Sequence, residues 1–407
     1  MTDRAKNVIN ACRAIAAMSE ELGRTTRRFL TPPVRQVHDF LRARMEALGM
    51  SVTVDAVGNL RGLWIPENAT GKRLILGSHI DSVPNAGAFD GVLGVVLALE
   101  LVKSAQALSL PLAIEVIAFS EEEGVRFGFP FIGSRAVAGR LDPDMLTFKD
   151  AEDISIREAI EAFGLDPDAI ANAVADDNAL GFVEFHIEQG PVLEAEHLSV
   201  AAVTSIVGQT RLDLRFIGHA NHAGTTPMHL RYDAMAAAAE WISKVEPLAH
   251  RTDGLVATVG KVKLQPNAGN VIPASVEASL DVRHVHDRVR RKAVDDLVEA
   301  AEAIAVRRGL KLESTLKMDE SSVPMDERLT AFMTDAIGTA GYPPKLMPSG
   351  AGHDSMIMAG RVPTAMLFLR SPGGLSHHPD EAVREEDVEA ALLVGEKFLQ
   401  RLAAEVR

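Results

Sequence analysis

The chain has 407 residues, 47% of them hydrophobic, which is enough to bury a large core and more than one typical domain needs, so two domains are expected. Its formal net charge of −14 argues against a nucleic-acid or anionic-membrane partner, since so acidic a surface repels both. The single cysteine, Cys12, excludes an intrachain disulfide framework and a cysteine-based zinc site, and its stripe with Val8, Ile9, Ile15 and Ala16 predicts a buried thiol.

From the N-terminus, helical spacing predicts helices over about 5–20, 33–49, 91–107 and 155–163, with strand-like runs at 51–55, 73–78, 112–119 and 181–187. Met1–Asn7 lacks the apolar core of a signal peptide, and Val92–Leu99 is too short to span a bilayer before Glu100 and Lys103 interrupt it, so a cytoplasmic location is expected. The acidic segment 142–180 reads as surface decoration between two strands. After Thr210 the texture changes to period-two alternation at 211–217, a helical stretch near 232–246, alternating runs at 254–264 and 275–284, a charged helix over about 286–308 and a strand near 311–317. That β-α-β-β-α-β order is a ferredoxin-like unit. A helix near 326–340, an apolar strand at 364–369 and a closing helix over about 385–404 then return to the α/β texture. The expectation is a discontinuous α/β/α domain of mixed sheet, residues 1–207 and 319–407, interrupted by an α+β domain at 208–318.

Four strand-like runs end in ligand-type residues: His79-Ile-Asp81, Glu121-Glu-Glu123, His186 and His377-His378. In an open α/β sheet, ligands gather outside the carboxyl ends of the strands, so four strands would deliver imidazoles and carboxylates to one place. Histidine and carboxylate without cysteine suit a Zn- or Mn-type hydrolytic site. Taken singly, each residue has a plainer reading. Asp81 could cap a turn before Pro84, Asp90 could cap the helix that follows it, and the glutamates could be a solvated charge run. His186 could be a hydrogen-bonded core residue, and the His377-His378 pair could belong to an ordinary loop. Alternatively, Asp81 could orient His79, from which it is two residues distant, by accepting its free ring N–H. Three glutamates that end an apolar strand would force at least one toward the crevice, where a cation is the natural counter-charge.

Taken together, Gly77-Ser-His-Ile-Asp-Ser-Val-Pro-Asn-Ala-Gly-Ala-Phe-Asp-Gly91, Glu122-Glu-Gly-Val-Arg-Phe127, His186-Ile-Glu-Gln-Gly190, His222-Ala-Gly-Thr-Thr-Pro227, Ser349-Gly-Ala-Gly-His-Asp354 and Gly374-Leu-Ser-His377 closely resemble the hydantoinase/carbamoylase amidases, a branch of the M20 metallopeptidase-like family. The resemblance runs over about residues 20–400. It implies two divalent ions, Zn²⁺ or Mn²⁺ with Co²⁺ or Ni²⁺ also suitable, one held by His79, Asp90 and His186 and the other by Asp90, Glu123 and His377. It implies further that Glu122 is the general base, that His222 in the inserted domain supplies an oxyanion donor to the partner subunit's site, and that the inserted domain is a lid and the interface of a homodimer. Arg283 and Asn270 match residues that grip a substrate carboxylate, while Gln189, Gln209 and His353 match other substrate-pocket positions. His186, where peptidase-type members carry a carboxylate, favours the amidase branch. The implied activity is hydrolysis of a linear amide C–N bond in a small ureido acid, either an N-carbamoyl-L-amino acid or allantoate. The segment Arg27-Arg-Phe-Leu-Thr-Pro-Pro33 tilts the choice toward allantoate. An N-acyl amino acid hydrolase or dipeptidase is the alternative within the family, and a non-catalytic metal or ureido-acid binder is the alternative outside it.

Overall fold

The computed structural model describes residues 3–176 and 178–405. The chain forms two compact units, one of Met1–Thr204 with Pro324–Arg407 and one of Ser205–Val323. The α/β class expected from the alternation holds in the first, and the α+β order holds in the second.

At the centre of the first unit lie four strands, in the order Thr364–Leu369, Ala179–Ile187, Arg73–His79 and Ala113–Phe119. They are mutually parallel, so their carboxyl ends share one edge. Antiparallel strands flank them, Val200–Ile206 beside Thr364–Leu369 and Leu60–Trp64 beside Ala113–Phe119, which makes the sheet mixed. The central strands are near-continuous apolar runs because both faces are covered. With alternate residues on opposite faces, Leu74, Leu76, Val116, Val183 and Phe185 join one core, and Ile75, Ile117, Phe119 and Phe182 join another.

The helix Val92–Ala107 is apolar on nearly every side because it is sandwiched between this sheet and the helices Asp3–Ala16 and Glu385–Glu405. Among the described residues, no helix is long and apolar enough to cross a membrane. Cys12 is buried in the Asp3–Ala16 helix, and burial pushes its thiol far up, so it is a packing residue as its stripe implied. The segment expected to be decoration is more than that. Leu146, Ile156, Ala159, Ile160 and Ala173 enter the core, because the short helix Ile156–Ala162 carries an apolar face beneath its acidic one.

In the second unit the strands stand in the order Val256–Thr258, Ser275–His284, Gly208–Ile217, Lys311–Glu320, with Val262–Gln265 also beside Ser275–His284. Leu212, Leu214, Phe216, Val276, Leu280 and Val282 face the helices Ala234–Arg251 and Asp287–Arg307, while the polar alternates face away from them. The run expected at 254–264 is two short strands, because Val259-Gly-Lys261 breaks the pairing.

Candidate active site

Register places the four strand ends together. His79, the last residue of its strand, pairs with Phe119, so Glu121–Glu123 follow immediately beyond it. His186 pairs with Phe368, and the loop after Leu369 carries His377. His377 and Gln189 both adopt left-handed backbone, at φ 55° and 58°. Such strain costs a non-glycine residue about 1 kcal/mol and persists only where the surroundings enforce it. Here Gln189 Nε2 donates to Asp90 Oδ2 at 3.2 Å and to Ser376 Oγ at 3.0 Å.

Asp90 is the hub. Its Oδ1 lies 3.5 Å from His79 Nε2 and 3.2 Å from His186 Nε2, and its Oδ2 lies 3.3 Å from His377 Nε2. His377 Nε2 is in turn 3.5 Å from Glu123 Oε1. The helix that follows is capped by Gly91, without a side-chain bond, so Asp90 does not act as the helix cap its position suggested. Gly91 has φ 66°, and a Cβ there would stand 2.5 Å from the His79 ring, so only glycine fits this turn.

The ring tautomers follow from the acceptors. His186 Nδ1 is 2.9 Å from the Ile187 carbonyl and His79 Nδ1 is 3.2 Å from the Asp81 carbonyl, so both Nδ1 atoms carry the proton. When neutral, each ring therefore turns an Nε2 lone pair toward Asp90. Asp81 also accepts the Glu122 and Glu123 backbone N–H groups, at 3.0 and 3.1 Å, and so fixes the glutamate turn as well as His79.

Two groupings have their ligand atoms within reach of one ion: His79, Asp90 and His186, and Asp90, Glu123 and His377. The separations of 3.2–3.5 Å match the edge, about 3.4 Å, of a tetrahedron of ligands about 2.1 Å from a central ion. Among the described residues two further groupings occur: His79, Glu122 and Glu123, which sets Glu122 beside both ligand sets, and Glu184, His186 and His353, which is a support instead. Glu184 accepts from Ser78 Oγ and from Ser355 N and Oγ, at 2.7–2.9 Å, and so spends both oxygens.

Charge balance also fits cations. Burial, then the neighbouring carboxylates, pushes Glu121 and Glu122 well above the usual range, and Glu123 to about 7. Burial pushes His79 down, but hydrogen bonds to Asp81 and Asp90 outweigh it and hold it well up. The hydrogen bond to Asp90 raises His377 to about 9. Burial likewise opposes Asp90, yet its three histidines hold it well below the usual range. Beyond burial, the neighbouring carboxylates push glutamates and histidines the same way, upward, as a surplus of negative charge does. Glu123 Oε1 is buried without a hydrogen-bond partner, as a ligand atom would be. These residues fit a dinuclear centre.

His353 is buried against His186, with ring centroids 4.4 Å apart, and bonds Ser349 Oγ at 3.0 Å. Burial and the neighbouring His186 hold it well below the usual range, hence neutral. The remaining expected residues lie in the second unit. His222 is exposed, and its Nδ1 accepts the Gly224 and Thr225 N–H groups at 3.2 Å, so the proton sits on Nε2. The Asn270 carbonyl holds the same loop through Ala223 N at 2.9 Å. Arg283 donates Nε and Nη2 to Asp281 at 2.9 and 3.0 Å, and Gln209 Nε2 reaches the same carboxylate at 3.1 Å.

The resemblance gives no role to Glu121. It is fully buried and accepts the Gly124 N–H at 2.6 Å. Glu184, Asp354 and Glu381 went unnoticed although all three are buried in the same basin. A carboxylate inside the apolar strand Phe182–Ile187 was the one available signal, for Glu184.

Residues 75–404 match Peptidase family M20/M25/M40. The chain is 41% identical over 368 residues to an N-carbamoyl-L-amino acid amidohydrolase of Geobacillus stearothermophilus, covering 90% of each chain. It is 36% identical over 391 residues to an allantoate amidohydrolase of Escherichia coli (strain K12), covering 95% of this chain and 94% of that one. A crystal structure of an amidase of the hydantoinase/carbamoylase family from Burkholderia multivorans superposes with a TM-score of 0.92 at 31% identity, covering 98% and 97%. The chain belongs to Peptidase family M20/M25/M40 and is an amidohydrolase within it.

Proposed function

We propose that this protein hydrolyses the terminal amide C–N bond of a small ureido acid, releasing ammonia, with allantoate favoured over N-carbamoyl-L-amino acids. The observation that carries the reading is Asp90, whose two oxygens face separate histidine groups as a bridging carboxylate requires. His79, Asp90 and His186 would hold one divalent cation, and Asp90, Glu123 and His377 the other. Two such cations supply Lewis acidity, which polarises a carbonyl and lowers the pKa of water toward about 7.

The chain's own residues divide the remaining work. Glu122, buried beside His79 with its backbone fixed by Asp81, takes the proton from the attacking water and passes it to the leaving nitrogen. Asp81 keeps His79 in the tautomer that leaves Nε2 available. His222, with its proton on the exposed Nε2, is a donor for the oxygen that gains charge as water adds, and we assign it to the site of a partner subunit. Arg283, oriented by Asp281, and Asn270 grip the substrate carboxylate, while Gln189, Gln209 and His353 line the pocket. In this reading residues 208–318 are the lid and the dimer interface.

The test is ammonia release from allantoate, ureidoglycolate, N-carbamoyl-β-alanine and several N-carbamoyl-L-amino acids, with dipeptides, N-acetyl amino acids and the ureido carboxamides as controls. Ureido acids should be preferred. Replacing the carboxylate by a carboxamide, or Arg283 by Ala, should cost about 1.5–3 kcal/mol in binding. Preference for dipeptides would overturn the substrate class, and equal rates on acid and carboxamide would remove Arg283 from its role.

A further inference from the structure

We propose that Glu381 is a positioning residue that sets the Asp90 carboxylate through its backbone and ties the Asp90 turn to the His377 loop, an inference that rests on Asp90 and His377 being metal ligands. Glu381 Oε1 accepts the backbone N–H groups of Phe89 at 2.9 Å and of Asp90 at 3.1 Å. The residue is buried, and its own N–H bonds the His378 carbonyl at 3.0 Å, which fixes it to the loop that carries His377. Ser376 Oγ stands between the two carboxylates, 3.3 Å from Asp90 Oδ2 and 3.4 Å from Glu381 Oε2. Two segments almost 300 positions apart in sequence are thereby joined beneath the oxygens that face the three histidines.

Gly87 gives independent support from the opposite side. A Cβ there would overlap Glu381 Cβ and stand 2.6 Å from its Oε1, so the turn is built around this carboxylate and admits no side chain at position 87. A buried carboxylate accepting the N–H groups of two successive peptides leaves both, the one that ends at Asp90 included, little freedom. The Asp90 side chain starts from that peptide, so a shift of a few tenths of an ångström there changes both of its oxygens relative to both histidine groups. Both ions would feel the loss together.

Two measurements test this. In metal-free protein, hydrogen exchange of the Phe89 and Asp90 amides should accelerate in Glu381→Ala and stay slow in Glu381→Gln, whose amide oxygen accepts the same bonds while its NH₂ donates to Ser376. In metal-loaded protein, competition with a chelator should show Glu381→Ala weakening Mn²⁺ binding about 10–100-fold, the range for losing a group that orients a ligand, with Glu381→Gln close to native. The Co²⁺ absorption spectrum should change in Glu381→Ala and in Gly87→Ala, which displaces Glu381 without removing its charge. Unchanged exchange in Glu381→Ala overturns the strap. Faster exchange with native metal affinity and a native Co²⁺ spectrum overturns its role at the metals. A native chain that binds no Mn²⁺ or Co²⁺ would remove the ligand reading itself and with it this role, while hydrogen exchange would still decide whether the strap exists.

Discussion

Glu122 and Glu123 are adjacent, alike in chemistry and share one basin, yet their replacement by glutamine should have opposite consequences. Glu123 Oε1 lies 3.5 Å from His377 Nε2, lacks a hydrogen-bond partner and belongs to the grouping with Asp90. Glu123→Gln halves that grouping's anionic charge, from two carboxylates to one, and should weaken metal binding by at least about 10–100-fold, since losing even an outer partner of a ligand costs that much. Glu122 is offered as the proton carrier. Glutamine at position 122 keeps the volume but accepts no proton, so kcat should fall by about 10²–10⁴ at unchanged metal content, or about 3–5 kcal/mol of barrier. The assay pairs elemental analysis after gel filtration with ammonia release over a range of added Mn²⁺. Extra metal should recover activity in Glu123→Gln and leave Glu122→Gln inactive. The reverse pattern would refute the assignment and move the base to position 123.

Chelation should abolish activity, re-addition of Mn²⁺, Zn²⁺, Co²⁺ or Ni²⁺ should restore it, and bound metal should raise Tm because it binds only the folded site. Full turnover after complete stripping would contradict this. Mixing inactive Glu122→Gln subunits with inactive His222→Ala subunits should return part of the activity if His222 acts across a dimer, and no recovery after demonstrated subunit exchange would count against it. Acid should destabilise the fold partly through His38, whose pKa burial depresses from 6.5 to about 4 and whose Nε2 is buried without a hydrogen-bond partner. As pH falls below 6.5 the unfolded chain takes up a proton that the folded chain refuses until about pH 4, so stability is lost across that window, by up to about 3 kcal/mol. Denaturant titrations of native protein and His38→Leu at pH 7 and pH 4.5 should show the smaller loss in the variant, and equal losses would clear His38.

The parts of the fold that sequence made legible were those governed by local periodicity. The buried strands at 73–79, 113–119 and 364–369 read as apolar runs, and the alternating strands at 208–217 and 275–284 read with period two, because each pattern reports one or two covered faces. The strands Leu60–Trp64 and Leu346–Ser349 carry little local signal because they are short and interrupted by Arg and Gly or by Pro, whereas the seven-residue Val200–Ile206 is uninterrupted and was legible but not read. The 142–180 segment misled because its acidic surface outweighs a small apolar face in composition.

In the basin the limit has a different cause. The basin gathers carboxyls from Asp81, Asp90, Glu121, Glu122, Glu123, Glu184, Asp354 and Glu381, all alike to the eye in sequence. What separates them is the partner each oxygen finds. Glu184 spends both oxygens on Ser78 and Ser355, Asp81 spends both on backbone N–H groups of the glutamate turn, and Asp90 turns both toward histidine. A carboxylate saturated by N–H and O–H donors stabilises backbone; one whose two oxygens also face histidine lone pairs, as those of Asp90 do beside its bonds from Gln189 and Ser376, suits a cation. That distinction depends on contacts between strands far apart in the chain, which no local pattern carries. It also explains why resemblance to a family could name the ligands at their places in the motifs and yet pass over Glu381, which touches the centre only through a backbone.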